Sequence, residues 1–198
     1  MRLSTLKPGL CALMLACSPV PDAPATPPPA PVDLSALPGA SVYNLKADLV
    51  DQDGKTVPLS VFAGQPVLIS MFYASCPSAC PMLVADVQAI ESRLNPEQLA
   101  NLRVLLVSLD PQSDTPAALT AAVERYEIDP TRWRLTSPTV DGVRSIAAVL
   151  GIAYQAVEGG EMHHSSIITL LDGQGEPQAR LDGLRQDPQP LVDALARL

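Results

Sequence analysis

The chain has 198 residues, 47% hydrophobic and 17% charged, which supplies one domain with a sizeable core plus an extension. Lys and Arg number 13 against 21 Asp and Glu, a formal charge of −8; this excludes the basic footprint of a nucleic-acid binder and adhesion to an anionic membrane by charge alone. No stretch reaches the roughly 18 apolar residues of a membrane-spanning helix.

Residues 1–16 read as an export signal, with Arg2 and Lys7 ahead of a short apolar run, Leu10–Ala16. Ala16 then Cys17 resembles a bacterial lipoprotein signal, in which the Cys becomes the acylated first residue of the mature chain. Met14 and Leu15 depart from the usual box, and the alternative is a plain secretory signal with an idle Cys17. The expected location is the periplasmic side of a bacterial membrane, anchored by a lipid on Cys17. Residues 17–38 form the expected tether. Eight of the 21 residues from Ser18 to Pro38 are Pro, which fixes φ and removes donors. At about 3.1 Å per residue, such a spacer reaches roughly 65 Å.

The folded domain is expected over residues 39–198. Val42–Val50 reads as a strand, Asp51-Gln52-Asp53-Gly54 as a hairpin turn and Val57–Leu59 as the return. Pro66–Tyr73 is a nearly continuous apolar run, as in a central strand covered on both faces. Leu83, Val87, Ile90 and Leu94 recur at helical spacing, predicting a helix over Met82–Leu94. Leu102–Leu109 is a second buried strand. Asp114-Thr115-Pro116 starts a helix that runs to Tyr126. A short strand, Trp133–Leu135, and a helix, Val143–Leu150, ended by Gly151, follow. Ser166–Leu171 and Pro177–Leu181 flank the turn Asp172-Gly173-Gln174-Gly175, and Pro188–Leu198 closes as a helix. This order predicts an α/β, thioredoxin-like fold. Its mixed central sheet has helices on both faces and an N-terminal β-hairpin extension.

Cys76-Pro77-Ser78-Ala79-Cys80-Pro81 sits where a central strand gives way to a helix. Free N–H groups and the dipole at a helix start favour thiolate over thiol. Three uses of the pair compete. A structural disulfide gains little from so short a loop. A thiol-disulfide oxidoreductase of the thioredoxin kind normally has two residues between its cysteines, not three. A soft-metal site suits two thiolates, for Cu(I) with Zn as the usual competitor. His163 and His164 are the only histidines, and they follow Gly159-Gly160-Glu161, read as flexible, just ahead of the strand at Ser166. In a thioredoxin-like fold that junction lies beside the Cys turn. One imidazole and two thiolates make a three-coordinate Cu(I) site, or an N/S site for Cu(II) with a further ligand.

GQPVLISMFYASCPSACP at Gly64–Pro81 resembles the Sco/SenC family of copper chaperones. So do LVSLDPQSDTP at Leu106–Pro116, HSSIITLLDGQGE at His164–Glu176 and SVYNLKADLVDQDG at Ser41–Gly54. The resemblance implies a thioredoxin-like fold, copper held by Cys76, Cys80 and His164, and a part in assembling the binuclear copper site of cytochrome c oxidase subunit II. His164 is preferred over His163 by its distance from the Gly175 turn. The implied partners are that subunit or another copper-site protein, and an upstream copper donor.

Asp110 and Asp114 are read first as turn and helix-cap residues, and second as residues that shape the site or dock a partner. Met71 and Met82 fit core positions; Met162, beside the histidines, is the thioether to watch. Trp133 is assigned to the core. Two alternatives to the chaperone stand: a periplasmic thiol-disulfide oxidoreductase with Cys76 and Cys80 as its redox pair, and copper sensing or stress protection without an oxidase client. A peroxidase is disfavoured because Tyr73-Ala74-Ser75, not a Thr-Pro approach, precedes Cys76.

Overall fold

The computed structural model describes residues 31–156 and 162–198. The export signal, Cys17 and the Gly159–Glu161 segment lie outside the described residues. A 3-10 turn, Val42–Asn44, leads into strands β1 (Asp48–Asp51), β2 (Thr56–Pro58) and β3 (Val67–Phe72). Helices α1 (Ala79–Glu91) and α2 (Pro96–Asn101), strand β4 (Arg103–Ser108) and helix α3 (Pro116–Arg125) follow. Then come β5 (Trp133–Pro138), α4 (Val140–Leu150), β6 (Tyr154–Ala156), β7 (Met162–His164), β8 (Ile167–Leu171), β9 (Pro177–Asp182) and α5 (Gln189–Leu195).

Seven strands form one mixed sheet in the order β2-β1-β5-β4-β3-β8-β9. β3, β4 and β5 are parallel, and β1 and β8 flank them antiparallel. All six residues of β3 are buried because successive side chains enter different layers. Leu68 and Phe72 meet α1, α3 and α5 on one face. Val67, Ile69 and Met71 meet α4 and the Val42–Tyr43 turn on the other. The β1–β2 hairpin extends one edge of the sheet, as its sequence predicts. Its turn folds around the buried Asp51 carboxylate, which accepts the N–H groups of Asp53 and Lys55 and pairs with Arg134. Helix ends follow their caps. Thr115 accepts the N–H of Ala118, Thr139 that of Gly142, and Gly151 closes α4 in the left-handed region.

Several expected boundaries move. Val42–Val50 is not one strand: Ser41 Oγ accepts the N–H of Tyr43 and curls the chain before β1 begins. The helix expected at Met82 starts at Ala79, which puts Cys80 in its first turn. β5 doubles the expected length because it pairs on both sides, so Arg134 and Thr136 stay in the ladder. Helix α2 buries no residue and so leaves no apolar period. Its local signature is the reciprocal cap between Asn95 and Gln98. The histidines lie not in a loop but in β7, paired with β6 in a separate two-stranded ribbon.

The entry segment and the last hairpin are fastened at Gly175, which has φ +80° and whose carbonyl accepts the N–H of Val42 at 2.9 Å. A Cβ there would lie 2.6 Å from Tyr43 Cδ2 and 2.9 Å from Ser41 Oγ. Gly175→Ala is therefore expected to cost about 3 kcal/mol in urea unfolding.

Candidate metal centre

Strand β3 ends at Phe72, and the chain turns through Tyr73–Ser78 before α1. The first N–H groups of a helix have no partner inside it. Ser78 holds the N-cap position, but its hydroxyl makes no capping bond. The N–H of Cys80 instead donates to Cys76 Sγ at 3.2 Å, so a sulfur takes the place of the cap oxygen. Burial pushes the Cys76 thiol up, but the N–H groups of Cys80 and Ser78, with the Cys80 thiol and the Tyr73 hydroxyl, outweigh it. Its pKa falls below the ordinary value. Cys80 goes the other way: burial drives its thiol far above the usual range. The two cysteines are unbonded to each other and buried.

On β7, His164 turns Nε2 toward Cys80 Sγ at 4.0 Å. Its Nδ1 lies 3.2 Å from the carbonyl oxygen of Ser165. That bond assigns the ring proton to Nδ1 and leaves the Nε2 lone pair facing the sulfur. Burial holds the imidazole below its ordinary pKa, with the Ser165 bond opposing, so the ring is neutral at pH 7. Neighbouring residues on a strand point to opposite sides, and His163 is exposed. Among the described residues no three His, Cys, Asp or Glu side chains are gathered around one point as they stand. The direct contact is the Cys80–His164 pair, with Cys76 tied to it by the N–H···S bond.

The Cys turn is held from below by Asp114, whose second reading from the sequence is to shape the site, and by Arg125. Asp114 is buried, and its carboxylate accepts the N–H of Ala74 at 3.0 and 3.1 Å and the hydroxyl of Ser108 at 2.6 Å. It does not cap α3, as expected; Thr115 does, because Asp114 points inward. Burial raises the Asp114 pKa, and its hydrogen bonds oppose the rise. Arg125 donates to the carbonyl of Ala74 at 3.0 Å, so both polar groups of that residue are clamped by side chains. Asp110 remains a turn residue, accepting the N–H of Ser113 at 3.4 Å. Met71 and Trp133 are core, and the Trp133 indole donates to Glu91 at 2.9 Å. Met162 packs against both core layers. The sequence assigns Tyr73 no part in the site. Its hydroxyl accepts the N–H of Met162 at 3.4 Å, and its ring meets His164 edge-on at 6.1 Å between centroids. Burial, then its bond with Cys76, pushes its phenol up to about 12.

Two outcomes follow from this arrangement. Asp114→Ala leaves the N–H of Ala74 and the Ser108 hydroxyl without an acceptor, and is expected to cost about 3 kcal/mol in urea unfolding. In Cys80→Ser protein, the alkylation rate of Cys76 should reach half its plateau at a pH below the free-thiol value of about 8.5. Cys80, tested in Cys76→Ser protein, should stay unreactive across the same range. Iodoacetamide kinetics between pH 5 and 10 measure both.

A family model described as SCO1/SenC matches residues 38–198. The SCO1 protein homolog of Bacillus subtilis (strain 168) is 28% identical over 83 residues, 42% of this chain and 42% of the relative; the match thus spans less than half of that protein. ScoI of Bradyrhizobium japonicum, solved with copper bound, has 24% identity and a TM-score of 0.64, covering 77% of this chain and 96% of that one. A SCO1/SenC family lipoprotein from Bacillus anthracis str. Ames has 19% identity and a TM-score of 0.70, covering 77% and 92%. At these identities the structural likeness carries the fold, a thioredoxin-like mixed sheet. The matched span takes in every strand and helix described above, with the Cys turn and the histidine ribbon inside it. The chain belongs to the SCO1/SenC family.

Proposed function

We propose that this chain is a copper metallochaperone, with Cys76, Cys80 and His164 as the ligands that hold the ion and pass it to a copper-site protein such as cytochrome c oxidase subunit II. The observation that carries this reading is the 4.0 Å approach of His164 Nε2 to Cys80 Sγ across 84 positions of sequence. Two soft sulfurs and one imidazole with a free lone pair suit Cu(I), and this donor set fits copper better than a hard ion. The residues divide the task. Cys76 offers a thiolate at the helix start. Cys80 stays protonated until a cation offsets its burial, so capture of copper releases its proton. His164 needs no deprotonation at neutral pH. Few ligands, one of them on a small separate ribbon, favour handing the ion on over storing it. ScoI of Bradyrhizobium japonicum, similar in fold, holds copper in its solved structure.

The unequal thiols also favour a second use. Cys76 thiolate can attack a client disulfide, forming a mixed disulfide and releasing one client thiolate. Cys80, once deprotonated, then displaces the second. The chain ends with a Cys76–Cys80 disulfide and the client with two thiols ready for copper.

For anchoring we propose a lipid on Cys17, residues 17–38 as the tether, and a periplasmic location. A SCO1/SenC family lipoprotein from Bacillus anthracis is similar in fold. The entry segment joins the domain where Gly64 and Gly173 meet, at the start of β3, while the Cys turn follows its end. A tether there leaves the sulfurs facing away from the anchored pole.

Cu(I) titration of the reduced protein tests the reading. One ion per chain is expected, with affinity at least tenfold weaker in His164→Ala and unchanged in His163→Ala. Equal affinity in wild type and His164→Ala, together with strong disulfide reductase activity, would leave the redox use standing alone. Cys17→Ser should move the protein from the membrane to the soluble periplasmic fraction; wild-type protein already soluble there would contradict the anchor.

A further inference from the structure

Tyr73 touches both halves of the site. It belongs to the Cys turn, and its carbonyl accepts the N–H of Cys76 at 3.2 Å. Its hydroxyl reaches across to the N–H of Met162, two residues before His164, and its ring edge lies against the imidazole. The ribbon that carries His164 pairs only with itself and adds no strand to the main sheet. Contacts such as these therefore decide how closely the imidazole stands to the sulfurs. The residue as a whole is 4% exposed. One lone pair of the hydroxyl takes the Met162 N–H. A phenylalanine would fill the same space and offer that N–H no acceptor.

We propose that the Tyr73 hydroxyl is a positioning group of the copper site, latching the histidine ribbon to the cysteine turn. This rests on the copper-binding reading above. Two consequences separate it from packing. Without the hydroxyl, the Met162 N–H loses its acceptor and the ribbon opens more often. The imidazole that the ribbon carries then stands less closely against Cys80, which alters the ligand set felt by a bound Cu(II).

The test compares wild type with Tyr73→Phe. In the reduced, metal-free protein, amide hydrogen exchange at Met162 should quicken about three- to tenfold, the worth of one neutral hydrogen bond. Exchange at Val87, in the core of α1, should not change. With Cu(II) added, Tyr73→Phe should still bind one ion, and its sulfur-to-copper absorption band should move as the imidazole loses its fixed approach. An unchanged Met162 rate, a rise shared by Val87, or an unmoved band overturns the inference. Wild-type protein that takes up no copper overturns the reading beneath it. Wild-type uptake alongside an indistinguishable Phe variant sinks only the latch.

Discussion

The N-terminus of α1 arrives at the end of a buried strand with backbone N–H groups to satisfy and no serine or threonine oxygen in place to satisfy them. The Cys76 sulfur fills that role. One bond thereby starts the helix, seats Cys80 in its first turn and lowers the pKa of the thiol that accepts it. A residue whose charge stabilises the helix dipole is a residue kept ready to lose a proton. The structural demand and the chemical property have one cause.

This cap works only if the turn before it is rigid, and the rigidity comes from elements far along the chain. Asp114 and Arg125, from the two ends of α3, hold the N–H and the carbonyl of Ala74. A buried carboxylate is expensive unless it is well bonded, and Asp114 accepts from both Ala74 and Ser108. The parallel arrangement of β3 and β4 makes this possible, because their carboxyl ends emerge at the same edge of the sheet. Antiparallel β8 brings its beginning to that edge too, and with it the ribbon bearing His164.

The site is asymmetric in firmness as well as in acidity. The cysteines sit on the end of a fully buried strand and the start of a thirteen-residue helix. The histidine sits on a ribbon of two three-residue strands beside the main sheet. A firm dithiol with a separately mounted imidazole suits the proposed role, in which an ion is both taken up and given away.

Much of this was legible in local chemistry. The apolar run of β3 and the Asp-Gly and Gln-Gly turns are short-range signals that tertiary context does not override. Thr115-Pro116 and Gly151 likewise read correctly as helix boundaries. The four-segment resemblance pointed to the family that residues 38–198 match. The chain also marked Cys76 and Cys80 as a pair poised at a strand-to-helix turn, because a helix start acts on the residues next to it. Three decisions needed the folded molecule. The resemblance favours His164, but its turn toward Cys80 depends on strand alternation in a ribbon with too few residues to leave a periodic signal. The inward turn of Asp114 depends on an N–H from forty positions earlier. The bridging position of Tyr73 depends on Met162, 89 positions later. Each is a contact between distant parts of the chain, and sequence neighbours carry no record of which distant group will stand opposite.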